Sequence, residues 1–573
     1  MHLLCLDWET FYSSDYSLSK LTTEEYIRSP QFRAHGAAVA LDGASPHWVS
    51  HDDLPTYLAQ IDWPNTALLC HNTAFDGAIL AWHYGHIPAL YLDTLSMARV
   101  GLPNRPPARS VSLENLAKIY GLPAKGAALA LSKGIRELPP DIERQIAAYA
   151  CQDAHITRLL FDKLKQGFPP DELRLIDLTL RMFTRPLLTI DQPMLWESLD
   201  RIRSSKESLL AQCGLTREDC NSSAKFAAAL ESVGVTVEYK PGKKGPVPAL
   251  AKTDAFMQAL LEDDDPVVQA LAAARLGVKS TIDETRTERF LSVASRGPLP
   301  VPLKYYGAHT GRWSGEGGLN MQNLRRKSPL RECLQAPEGY AVIVADSAQI
   351  EARILAWVAG HKTLVEDFRN KVDIYSAMGE QVGASRSVGK VLILALGFGQ
   401  GHKNLRETLR RGPMGMPPII VDEATAQHWV QGYRHIHAPI PALWRQLESK
   451  LPVIAEKGLT LPNGAALHYP DLKQNADGWS YQGRRERISL WGGSLTENYM
   501  QALARIVVAG QMIEIARRYP VVTMTHDEVV AVAPIDEADD ALQFMLDLMR
   551  TEPDWCKGLP LNAEGGWATN YSK

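Results

Sequence analysis

The sequence predicts an α/β multidomain protein, and three observations carry that prediction. Ala341 to Ala345 is a run of β-formers that ends on Asp346, and the residues after it recur apolar at helical spacing. Val521 to Ala533 reads as two β-rich runs around Thr525, His526, Asp527 and Glu528, a hairpin with two carboxylates at its tip. Long stretches of helical periodicity lie before and between them. With 573 residues and 45% hydrophobic content, the chain can build about three or four domains with real cores.

Taken in order, Leu3 to Leu6 is a buried strand that runs into Asp7-Trp8-Glu9-Thr10. Carboxylates two apart on an extended chain face one side of a sheet, so one strand can offer both to one metal pair; ordinary surface alternation gives the same spacing. Thr66 to Cys70 is a second strand, and it hands over to an apolar helix with Asp76 near its start. From Glu143 to Lys165 the periodicity is helical, which makes Tyr149 and Asp153 neighbours on one face. A helical stretch from Glu172 to Gln192 leads into a mostly helical segment to Arg289, with Asn221-Ser222-Ser223 as a helix start and Lys279 at a cationic helix end.

Asp346 stands at a strand-to-helix corner, where a rigid buried strand meets water. That suits a metal ligand, and it equally suits a helix N-cap. If the 521–533 hairpin lies beside this strand, Asp346 and Asp527 can hold two Mg²⁺ ions, hard cations that take oxygen ligands and leave room for phosphates. Arg386, Lys390, Leu394 and Phe398 recur at every fourth position, so on a helix they share one slowly drifting face. The cations lie at its N-terminal end, where the helix dipole adds to their charge; a triphosphate would bind there and a sugar or base nearer Phe398. Amphipathic packing is the alternative reading of the same spacing.

Lys and Arg number 61 against 65 acidic residues, a net charge of −4, so nucleic-acid binding cannot come from global charge. It needs local clusters, and Lys243-Lys244, Arg325-Arg326-Lys327, Arg410-Arg411 and Arg484-Arg485-Arg487 are the candidates. Seven cysteines without a CxxC pair argue against a disulfide framework or zinc site and for a reducing, cytoplasmic compartment. No apolar run approaches a signal peptide or membrane span.

Together, Asp346 to Arg353, the Arg386/Lys390/Phe398-Gly399 helix and His526-Asp527-Glu528 resemble the three polymerase motifs of family A DNA polymerases, the bacterial DNA polymerase I type. Thr310-Gly311-Arg312-Trp313-Ser314, Asn320 to Leu324 and Gly492-Gly493 through Glu497-Asn498 to Gln501 follow the same order. The resemblance implies a right-hand polymerase: thumb 193–300, palm 301–350 and 476–573, fingers 351–475, with 167–192 as the connection. It implies DNA-templated extension of a primer 3′ end with dNTPs, with Asp346 and Asp527 as metal ligands and Glu528 in support. Arg386 and Lys390 would bind the triphosphate, Phe398 would pack on the base, and Gln349 belongs to the same substrate site. Glu351 would exclude a 2′-hydroxyl, Arg312 and Gln501 would read the minor groove at the primer end, and His526 would lie near that end.

Residues 1–166 are similar to the RNase H-like proofreading 3′→5′ exonucleases. Asp7, Glu9, Asp76 and Asp153 would then hold a second Mg²⁺ pair, with Mn²⁺ as a substitute at either site, and Tyr149 would orient the attacking water. Since the motif starts at residue 7, no 5′ nuclease segment is expected before it. The implied partners are primer-template DNA and dNTPs, with no membrane and a monomeric enzyme. Ser347-Ala348 in place of an aromatic-Ser pair, Tyr375 where a His is familiar and Leu394 where an aromatic is usual bear on nucleotide selection; with the short length and the Gly492-Gly493 to Glu497-Asn498 pattern they resemble a phage-encoded branch. Two rivals remain open: a DNA-binding exonuclease with a decayed polymerase half, and a single-subunit RNA polymerase.

Overall fold

A computed structural model describes residues 1–101, 110–242, 245–252, 254–261, 263, 265–413, 416–483 and 486–572. Strands β1 (His2–Thr10), β2 (Ala34–Leu41), β3 (His47–Ser50), β4 (Thr66–Cys70) and β5 (Leu90–Asp93) form one sheet in the order β3-β2-β1-β4-β5. β1 is antiparallel to β2 and parallel to β4, which makes it the central strand. Around the sheet lie α1 (Thr23–Ile27), α2 (Thr73–Tyr84) and α3 (Pro140–Leu164), and α3 packs along β1 and β2. Central position and helix cover explain why Leu4, Cys5 and Leu6 form an unbroken apolar run rather than an alternating one.

Helix α4 (Pro170–Thr184) follows. The expected helical continuation to Gln192 is not present: Arg185 leaves the helical region (φ −125°, ψ 64°) ahead of Pro186, whose ring disfavours helix in the residue before it. Thr189–Ile190 instead forms a short strand, β6. The next helices are α5 (Gln192–Cys213), capped by the Asp191 carboxylate on the Met194 N–H, then α6 (Pro266–Lys279) and α7 (Ile282–Ala294), both packed on α5. The Ser222 hydroxyl caps the helix Ser223–Ser232, where the sequence places a helix start. A hairpin of Tyr239–Gly242 and Gly245–Pro248 interrupts this mostly helical stretch.

The second large sheet joins distant parts of the chain. β7 (Leu334–Gln335) pairs with β6, and β8 (Tyr340–Ser347), β9 (Val521–Thr525), β10 (Glu528–Pro534) and β11 (Ala563–Ala568) make an antiparallel sheet ordered β9-β10-β8-β11. The segment between β8 and β9 supplies α8 (Ile350–Val358), α9 (Ile374–Gln381), α10 (Arg386–Leu396), α11 (Pro439–Glu448) and α12 (Gly492–Ala516). α13 (Ala538–Arg550) covers β8 and β11, while α12 packs on α11, α8 and α4. The seven cysteines are free, and no described helix is long and apolar enough to cross a membrane.

Candidate active sites

Pairing of β8 with β10 sets Asp346 opposite Glu528, and the Ser347 N–H donates to the Asp527 carbonyl at 3.0 Å. The two acidic corners are therefore adjacent. His526 turns the hairpin in a left-handed conformation (φ 58°). Asp346 is not an N-cap: Gln349, itself left-handed (φ 55°), occupies the cap position of α8, and the Asp346 carboxylate meets the Arg326 guanidinium. Burial, and then the charge of Asp346, push the Asp527 carboxyl up to about 7. Burial also raises Asp346, against the pull of Arg326.

Glu528 does not stand at the hairpin tip, contrary to the sequence expectation. The turn needs only His526 and Asp527, so Glu528 opens β10 and is 3% exposed. Arg331 Nη2 donates to it at 2.9 Å and the Tyr571 hydroxyl donates to its other oxygen. The Arg331 guanidinium also lies 3.8 Å from the Tyr571 ring centre. A charge this deep must be paired and hydrogen-bonded, so Glu528 anchors the corner from behind.

In front of the two aspartates Arg312 pairs with Glu351. Gln501 accepts from the Thr310 hydroxyl at 3.4 Å and donates to Glu497 at 3.2 Å. Burial and the nearby Arg312 lower the His526 pKa. Ser385 caps α10 through the Val388 N–H, and Arg386 Nε lies 2.6 Å from Asp373 Oδ2 with its guanidinium 5.5 Å from the Tyr375 ring centre. That pair is solvent-exposed, so phosphate oxygens can replace the Asp373 carboxylate at little cost.

Lys390 and Leu394 are half-buried on the same helix. Phe398 departs from the expectation, because α10 ends at Leu396. Gly399 takes φ 85°, and the Trp444 indole satisfies the freed Gly397 carbonyl at 3.0 Å. Phe398 therefore sits in the turn after the helix rather than on its face.

A cleft of about 570 Å³ opens between α5, the start of α7 and residues 324–330, lined by Arg201, Arg286, Arg325, Arg326 and Lys327. It is one local concentration of cations among the described residues, of the kind a chain of net negative charge needs to hold a polyanion. Arg410 and Arg411 instead pair with Glu407 on the helix surface at 3.1 and 3.0 Å. Lys243-Lys244 and Arg484-Arg485 lie outside the described residues.

At the N-terminal sheet the five expected residues converge. Asp7 and Glu9 lie on β1, Asp76 in the first turn of α2, and Tyr149 and Asp153 on α3. The Trp8 N–H donates to Asp76 Oδ1 at 3.2 Å. Burial and the Asp153 charge push the Asp7 carboxyl up to about 7; burial, with Asp7 next, raises Asp76 and Glu9 well above the usual range. Lys125, which the sequence reading missed, reaches over this cluster with Nζ 2.5 Å from Asp153 Oδ2 and 5.1 Å from the Tyr149 ring centre. A single Lys in a loop carries no periodic signal.

Asp153 Oδ1 is buried with no hydrogen-bond partner. Among the described residues no three His, Cys, Asp or Glu side chains already form a metal cage; Lys125 and Arg326 hold the carboxylates.

Two aspartates brought together at the end of one antiparallel sheet form an oxygen-donor corner open to phosphate chemistry, and the comparisons give the family. The model of DNA polymerase family A matches residues 195–573. The chain belongs to this family of DNA-templated DNA polymerases. It is similar to the DNA polymerase of Bacillus phage SP02, 25% identical over 677 residues with 100% of both chains covered. Similarity to the DNA polymerase of Mycobacterium phage L5 is 25% identity over 435 residues, covering 73% of this chain and 62% of that one. In structure it is similar to the polymerase domain of Pol1 from M. smegmatis in complex with DNA primer-template and dNTP, with TM-score 0.69 and 19% identity over 99% of this chain and 95% of that one.

Proposed function

We propose that the chain extends a DNA primer on a DNA template by two-metal phosphoryl transfer and proofreads with a 3′→5′ exonuclease at the N-terminal sheet. The observation that carries the first part is the strand register that makes Asp346 and Asp527 neighbours. Both carboxylate clusters suit Mg²⁺: each is an oxygen donor set in which burial and mutual repulsion disfavour bare charge, and Asp153 Oδ1 lacks a partner. Asp346 and Asp527 would hold the ions at one site, and Asp7, Glu9, Asp76 and Asp153 at the other. When bound, such ions neutralise phosphate charge and ease deprotonation of the attacking oxygen.

The chain's own residues do the rest. Arg386 and Lys390, at the N-terminal end of α10, grip the triphosphate of the incoming dNTP, and Tyr375 backs Arg386. Leu394 and Phe398 face the nucleoside, Gln349 borders the same pocket, and Glu351 stands where a 2′-hydroxyl would enter. Arg312 and Gln501 hold the primer-terminal pair through minor-groove acceptors shared by all base pairs, so any sequence can be copied. His526 lies beside the primer end. The cationic cleft holds the duplex backbone without reading bases. At the N-terminal sheet Tyr149 would orient the water that attacks the last phosphodiester.

Two variants separate the parts. Asp527→Ala should end primer extension and spare 3′→5′ digestion of a labelled single strand; Asp7→Ala should do the reverse. Near wild-type extension by Asp527→Ala would displace the polymerase centre from this corner, and undiminished digestion by Asp7→Ala would remove the nuclease assignment. Supplying NTPs in parallel with dNTPs tests the sugar preference directly.

A further inference from the structure

Among the described residues the most deeply buried ion pair is not at either acidic site. Glu172 on α4 and Arg505 on α12 are 2% and 3% exposed at their side chains and meet as a two-pronged pair, with Arg505 Nη2 2.7 Å from Glu172 Oε2 and Nη1 on Oε1. Tyr305 donates its hydroxyl to the same carboxylate, and Asn463 Nδ2 donates to it at 2.7 Å. Replacing a buried pair of this kind with apolar side chains is often neutral or stabilising, so stability alone is a weak reason for it. What it fixes is direction.

With both Nη groups committed to Glu172, the remaining Arg505 Nε–H points at the Gly311 carbonyl at 3.2 Å, the residue immediately before Arg312. The guanidinium is boxed in by the rings of Trp313, Tyr306 and Tyr305 at 4.7, 5.4 and 5.6 Å. The turn it holds is one only glycine suits: Gly311 has φ 80°, and a Cβ there would lie 2.8 Å from the Tyr306 ring. On one side the Thr310 hydroxyl meets Gln501, one helical turn before Arg505 on α12. On the other, the Trp313 indole donates at 2.8 Å to Thr179, two turns along α4 from Glu172. The loop is latched at successive residues, and the side chain it presents is Arg312, on Glu351 and beside Asp527 and His526.

The other face of α4 belongs to the N-terminal sheet. Asp177 Oδ1 accepts from the Tyr91 N–H of β5 at 2.8 Å, Arg181 donates to the Pro88 and Ala89 carbonyls at 3.0 and 2.9 Å, and the Thr184 carbonyl accepts from the Trp82 indole at 2.9 Å. One helix therefore touches both halves. We infer that Glu172, acting through Arg505, is a positioning residue for Arg312 in primer extension, and that α4 ties the geometry of the primer end to the N-terminal sheet. This rests on the reading of Arg312 as a primer-end contact.

The test is single-nucleotide incorporation on matched and mismatched primers by Glu172→Gln, Arg505→Lys, Arg312→Ala and the Glu172→Gln/Arg312→Ala pair, with unfolding midpoints for each. Glu172→Gln retains hydrogen-bonding atoms and loses the charge; Arg505→Lys retains the charge but leaves a side chain that cannot reach both Glu172 and Gly311. Since a displacement of 1 Å can cost about 10²-fold, kcat on matched primers should fall roughly 10- to 100-fold with little change in dNTP KM, and the matched-to-mismatched ratio should shrink. In the Arg312→Ala background the same change should cost less than about twofold, because coupled residues are not additive.

A purely structural pair would lower the unfolding midpoint and leave kcat per folded molecule and the primer-end ratio unmoved, which overturns the inference. An equal loss with and without Arg312 also overturns it. If Glu172→Gln fails to fold, Arg505→Lys decides by the same measures; if neither folds, the pair is a folding element and the inference fails. Wild-type extension by Arg312→Ala would instead refute the primer-end reading on which it stands.

Discussion

Gly389→Ala is the sharpest probe of α10 as the proposed nucleotide-binding helix. Gly389 lies where α10 crosses α9, and an added Cβ would stand 2.0 Å from the Tyr375 carbonyl oxygen and 2.8 Å from the Gly379 nitrogen. Both are backbone atoms of α9 and cannot rotate away. Gly379 repeats the arrangement from the other side, with its Cβ position 2.7 Å from the Ser385 carbonyl oxygen. Restoring ordinary contact of about 3.5 Å requires the helices to part by roughly 1–1.5 Å.

Ala gains about 1 kcal/mol over Gly in a helix interior, whereas overpacking costs about 1–3 kcal/mol, so the net change should be destabilising by about 0–2 kcal/mol. Function should suffer more than stability, because Arg386 and Lys390 ride on the displaced helix: the KM for dNTP should rise roughly 10- to 100-fold. Steady-state primer extension measures this, with the proposed 3′→5′ digestion and the unfolding midpoint as internal controls for folding. An Ala variant with unchanged KM and a gain of about 1 kcal/mol in urea unfolding would refute the crossing as drawn.

Tyr571→Phe removes a hydroxyl donor from buried Glu528 while keeping the ring under Arg331; loss of a hydrogen bond to a charged group should cost about 1.5–3 kcal/mol in urea unfolding, and a change below about 0.5 kcal/mol would show that Arg331 alone suffices. Glu351→Ala should raise ribonucleotide relative to deoxynucleotide incorporation by roughly 10-fold or more, measured as the ratio of kcat/KM values, and an unchanged ratio would move sugar exclusion to another side chain.

The acidic corners were legible because each is local: a β-run, then a carboxylate, then a turn or helix. So were the Ser222 cap and the pairing of Tyr149 with Asp153, which need only neighbours in sequence. Phe398 misled because its spacing continues the pattern of Arg386, Lys390 and Leu394, while the helix is stopped by Gly397 and Gly399 and by an indole 47 residues away. Lys125, Arg331, the Glu172–Arg505 pair and the pairing of Arg326 with Asp346 were invisible for a related reason. Charged side chains read as solvated surface until a distant partner is known, and Glu172 and Arg505 are 333 residues apart.

Register is the feature that could not have been read and on which the proposed polymerase centre depends most. A strand with one wet face announces its register by alternation, but Ala341 to Ala345 in β8 and Val529 to Ala533 in β10 are buried on both faces, so a slip of one residue leaves the apolar pattern intact. The polar ends must therefore fix it. Slipping β10 by one would carry Glu528 away from Arg331 and Tyr571 and leave a carboxylate buried without partners, a cost of about 3–5 kcal/mol by analogy with breaking a buried pair. It would also break the hydrogen bond from Ser347 to the Asp527 carbonyl. The residue that looked like the second carboxylate at the tip thus acts through its burial: Glu528 penalises a one-residue slip away from the register that brings Asp527 to Asp346.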